Sequence, residues 1–173
     1  DPPVDESENE GWVCPINLSI PPKNLSDEDL VREALEREVA LIKPWYEESK
    51  KKRGNRTNLG VSGKTPEEIA AFLSNVLVNR TETASPIEGK PVAQAFKQMA
   101  DDLRYFYMEA AIAKPGNLAT DTQIGNWLWG ETILGKVLIA IRDWAMESED
   151  PGFKALAPTA MVPMVQRHRT QHG

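Results

Sequence analysis

Apolar side chains recur at three- and four-residue intervals along four long stretches of this chain, and nowhere do they alternate at the two-residue period of a half-buried strand. No hairpin dipeptide joins two alternating runs. The pattern therefore predicts an all-α chain: an irregular bundle of four main helices, with an extended N-terminal arm over residues 1–25 and a short C-terminal helical segment. Residues 26–173 are expected to form a single helical domain, since 173 residues suffice to enclose one core.

The helices announce themselves by caps and spacing. Ser26 is placed to cap the first, with Asp27, Glu28 and Asp29 loading its positive N-terminus. Val31, Leu35, Val39, Ile42 and Tyr46 then share one face, Pro44 is expected to kink the helix, and Gly54 ends it. The second helix runs from Pro66 to about Val78 over Ile69, Phe72, Leu73, Val76 and Leu77. The third runs from about Pro91 to Ala113 and buries Val92, Phe96, Met99, Leu103, Phe106 and Ala110. The fourth opens on a Thr120–Gln123 capping box and is read as continuous to about Glu147. Trp12, Val13, Ile16 and Ile20 give the arm its anchors.

One short stretch carries a chemical signal. Gly63-Lys64-Thr65 matches the end of a phosphate-binding loop, but the first glycine of that loop would fall at Asn58, and the charged residues 48–57 supply no strand to support it. Helix capping accounts for the same residues: Thr65 as N-cap, Pro66 at the first helical position and Glu68 closing a capping box.

Other chemistries lack their parts. A net charge of −6 disfavours nonspecific nucleic-acid binding, and no apolar run approaches the roughly 18 residues of a membrane span. The dense basic run from Lys50 to Arg56 is read as a helix end and a solvated loop. Cys14 is the sole cysteine, which rules out an intrachain disulfide or a multi-cysteine metal site. His168 and His172 stand four apart in the C-terminal tail, too few and too terminal for a hydrolase triad. Four Asn-x-Ser/Thr sequons, at Asn17, Asn24, Asn55 and Asn79, stand against an otherwise cytoplasmic reading.

The fourth helix is the most unusual part of the chain. Gly125, Gly130 and Gly135 lie within it although each interior glycine costs a helix about 1 kcal/mol relative to alanine. On a regular helix Glu131 falls in the middle of the apolar face of Ile124, Trp127, Leu134, Gly135, Leu138 and Ala145, and Gly135 leaves a gap one turn on, open to another helix backbone or to a small ligand. Trp127 and Trp129 point in opposing directions, so one of them is expected at an interface, in a pocket or beneath the arm. On the third helix Asp102, Tyr105 and Glu109 share a flank. Pairing of the two helices would bring Glu131 and Glu109 face to face, the start of a carboxylate-bridged metal centre that lacks its histidines. The candidate ligand-binding set is therefore Glu131, Glu109, Trp127, Tyr105 and Gly135, with no metal and no cofactor expected.

From the sequence, the expected role is non-catalytic: self-association, or service as an accessory subunit, with a protein partner or second copy and neither nucleic acid nor membrane. The alternative is a ligand-binding or enzymatic bundle whose acidic and aromatic pocket surrounds Glu131 and Glu109.

Overall fold

A computed structural model describes residues 27–80, 84–113, 120–160 and 162–170, and among these the regular structure is helical throughout. The all-α expectation holds. The N-terminal arm with Trp12, Val13, Ile16 and Ile20, the Ser26 cap, Cys14 and His172 lie outside the described residues.

Helix α1 spans Glu28–Lys52, with Asp27 as N-cap accepting the Leu30 amide at 3.1 Å. Its core face is the predicted one: Val31, Leu35, Val39 and Ile42 are fully buried and Tyr46 nearly so. Pro44 sits inside this helix without ending it. Lys50, Lys51 and Lys52 fall in its last turn, where positive charge suits the helix dipole. Helix α2, Pro66–Asn79, starts on the complete Thr65–Glu68 capping box and stops at Arg80 in the left-handed conformation. Helix α3, Val92–Ile112, packs against both α1 and α2.

The predicted fourth helix is two. Helix α4 spans Asp121–Glu131 and helix α5 spans Ile133–Glu147, separated by Thr132 in an extended conformation (φ −85°, ψ 156°). The Thr120–Gln123 capping box is present as expected. A four-residue helix α6, Pro151–Lys154, and two 3-10 segments, Ala157–Thr159 and Met164–Arg169, complete the described fold.

One hydrophobic cluster joins all of these elements except the last 3-10 segment, from Val31 on α1 to Val162 before it. Phe106, Tyr107 and Trp127 are stacked near its centre: Tyr46 meets Phe106 with ring centroids 4.8 Å apart, and Tyr107 meets Trp127 at 6.0 Å.

Candidate functional site

Four carboxylates are buried among the described residues: Glu38 on α1, Asp102 and Glu109 on α3, and Asp143 on α5, which stands 4.0 Å from the Arg142 guanidinium. A buried carboxylate is costly unless hydrogen bonds surround it, so their partners show what each one does.

Glu109 faces the connection between α1 and α2. One oxygen accepts from the Arg53 guanidinium and from the Thr57 hydroxyl, each at 2.7 Å, and the other takes the Asn58 amide at 2.8 Å. Two helical turns earlier, Asp102 takes the Gly60 amide at 3.3 Å and the Ser62 amide and hydroxyl at 3.0 and 2.6 Å. The connection is thus stitched to α3 at both ends. Its inward-turned amides at Asn58, Gly60 and Ser62 bind anions that are the protein's own side chains. Thr65 serves as the N-cap that the sequence indicated.

Glu38 holds the corner between α4 and α5. Its Oε2 accepts the Ile133 amide at 2.9 Å, and its Oε1 accepts both the Leu134 amide at 3.1 Å and the Tyr107 hydroxyl at 2.6 Å. Thr132 Oγ1 takes the next amide, Gly135, at 2.9 Å, and donates to the Leu128 carbonyl at 2.6 Å. The first three N–H groups of α5 are therefore all satisfied, and a carboxylate stands at the positive end of the helix. Burial pushes the Glu38 carboxyl above its ordinary value, against the pull of Tyr107, the two amides and Lys136.

The break at Thr132 corrects the geometry expected for the candidate set. Glu131 ends α4 and is exposed, rather than interrupting an apolar stripe, because the helical register does not continue through residue 132. The space that Gly135 leaves is filled by the backbone of α4 and not by a ligand: a β-carbon there would stand 2.1 Å from the Leu128 carbonyl oxygen. Trp127 is buried in the aromatic stack, whereas Tyr105 lies outward on α3. Glu109 is committed to the 53–58 segment, so the structure does not bring Glu131 and Glu109 into a common pocket. No group of three or more His, Cys, Asp or Glu side chains that could hold a metal stands together among the described residues.

Sequence reasoning missed Glu38, whose position on the α1 core face resembles any other helical glutamate, and it missed the surface built by the C-terminal segment. That segment lies on the glycine-bearing side of α4. Gln166 donates to the Asn126 side chain at 3.0 Å and accepts from Arg169 Nε at 2.7 Å, while the Arg169 guanidinium covers Gly130, where a β-carbon would come within 2.7 Å of it. Two hollows flank Pro163. One, of about 530 Å³, is lined by Met108, Leu128, Trp129 and Val165 with Arg104 and Asp121 at its edges. The other, of about 680 Å³, is lined by Arg104, Arg142 and Arg167 together with Met146, Pro158 and Val162. Trp129 is accordingly the tryptophan that faces a pocket, although it too is buried. His168 is exposed on the same segment.

No helix among the described residues is long and apolar enough to cross a membrane. No family model, no curated protein and no solved structure matches this chain. A functional reading must come from these surfaces.

Proposed function

We propose that this chain acts through protein association, with a second copy of itself as the partner its surface fits best. The observation behind this reading is the placement of Met164 and Val165, which are 80% and 78% exposed although the segment carrying them is tied down on both sides. Large apolar side chains held rigidly in water beside a hollow mark an interaction surface. Tyr105 and Ile112, one turn to either side of Met108 on α3, extend the apolar rim.

A two-fold pair requires one patch to complement itself. Here the projecting Val165 and the hollow that would receive its counterpart adjoin, and the same hollow carries Arg104 and Asp121, opposite charges able to cross-pair between copies. Glu38, Asp102 and Glu109 are occupied by internal partners, which leaves no comparable support for a pocket around Glu109 and Glu131.

Light scattering on the eluting protein tests the reading. The expected mass is twice the 19.3 kDa of one chain, falling to a monomer with unchanged helix content in Val165→Asp. A wild-type protein that stays monomeric at about 100 μM, or a dimer that Val165→Asp leaves intact, would refute association through this face.

A further inference from the structure

The second hollow beside Pro163 is different in chemistry. Arg104 comes from α3, Arg142 from α5 and Arg167 from the C-terminal 3-10 segment, so three of the nine arginines of an acidic chain converge on one cleft from three separate elements. Among the described residues no carboxylate lines it. Two are close behind the arginines: Asp101 bonds Arg104, and Asp143 stands 4.0 Å from Arg142. Arg167 spends its Nε on the Val162 carbonyl at 2.7 Å, and Arg104 Nε is buried without an acceptor among the described residues. Arg142 is itself buried, and both burial and the positive charge of Arg167 hold its guanidinium below the ordinary value, with Asp143 opposing.

Mutual repulsion between guanidinium groups at a partly dry surface is relieved by an anion, and the planar fork of arginine suits a carboxylate in two-pronged contact. The remainder of the cleft is apolar, made by Met146, Ala157, Pro158, Val162 and Met164. Its volume of about 680 Å³ is that of a small-molecule site. We infer that this cleft binds a small carboxylate with an apolar body, the carboxylate held by Arg104, Arg142 and Arg167 and the body lying on Met146, Pro158 and Val162. The cleft adjoins the association face, sharing Arg104 and Pro163 with its hollow and Met164 with its apolar patch, but Val165 does not line it.

Decanoate below its micelle concentration, decanol as its uncharged counterpart and inorganic phosphate serve as probes in titration calorimetry. Decanoate should bind saturably, with decanol and phosphate each at least about tenfold weaker, because each lacks one half of the recognition. Arg167→Gln, and Arg142→Gln if circular dichroism shows it folded, should weaken decanoate by about tenfold or more while leaving decanol unchanged. Val165→Asp should bind decanoate as the parent does. The proposal is overturned if the wild-type protein does not bind decanoate, if decanol or phosphate binds as tightly, if folded Arg167→Gln binds decanoate normally, or if Val165→Asp abolishes binding.

Discussion

Gly135 lies so close to Leu128 that no side chain can stand between them: a β-carbon at position 135 would be 2.1 Å from the Leu128 carbonyl oxygen and 2.9 Å from the Cα of Trp129. Helix α5 leaves the end of α4 through this contact. Backbone, not a flexible side chain, is the obstacle, so the corner has little room to yield.

Gly135→Ala should therefore invert the usual trend. Alanine in a helix interior ordinarily stabilises by about 1 kcal/mol over glycine, whereas here the clash should cost at least about 2 kcal/mol in urea denaturation. A neutral or stabilised variant would show that α4 and α5 can separate freely.

Removing the carboxylate that caps this corner strands three donors. Glu38→Ala should cost about 3 kcal/mol or more at neutral pH, since the Ile133 and Leu134 amides and the Tyr107 hydroxyl lose their acceptor.

The pH dependence of that cost has a definite sign. Burial raises the folded-state pKa of Glu38 above its ordinary 4.5, so the folded protein holds the proton more tightly than the unfolded chain does. The contribution of Glu38 to stability is full below 4.5 and declines as pH rises through the raised value. The difference in unfolding free energy between the parent and Glu38→Ala should accordingly shrink from acid toward neutral pH. A difference that grows instead would mean that the hydrogen bonds outweigh burial.

The α1–α2 connection should respond to its two anchors separately. Glu109→Ala removes a buried carboxylate from the Arg53 guanidinium, the Thr57 hydroxyl and the Asn58 amide and should cost about 2 kcal/mol, with faster hydrogen exchange at the Asn58 amide. Asp102→Ala should speed exchange at Gly60 and Ser62. Equal acceleration at all three amides in both variants would show that the segment opens as one unit.

Glu131→Ala should be nearly silent, within about 0.5 kcal/mol of the parent, because the side chain is exposed. On the unbroken-helix reading, the same substitution would remove a buried carboxylate from its partners and cost at least about 1.5 kcal/mol. One denaturation curve thus distinguishes a broken from a continuous helix.

The contrast follows from where the information lies. Thr65, Pro66 and Glu68 act within four residues of one another, as do Thr120 and Gln123, so both caps were legible locally. The apolar face from Val31 to Tyr46 was legible by period alone. The break at Thr132 was not, since its stabilising partner, Glu38, is 95 residues away from Ile133. Nothing in the local sequence marks that meeting. Even so, the glycines were a valid signal of something unusual: Gly130 makes room for Arg169 and Gly135 for the Leu128 carbonyl, the latter a close approach of another helix's backbone. Of the three residues grouped on one flank of α3, Asp102 and Glu109 are buried against the loop rather than α4, whereas Tyr105 is exposed.

By its length and polarity, the segment from Arg53 to Thr65 is the place where an engineer would first insert a tag or a protease would first cut. The stitching by Asp102 and Glu109 makes it a poor choice for either. Cleavage needs a stretch of backbone to be drawn out into an enzyme's groove, and here the amides of Asn58, Gly60 and Ser62 are each turned onto a buried side chain of α3. Splicing foreign residues between them would pull one anchor out of register with the other. What looks like slack between two helices behaves as a fixed rib of the framework.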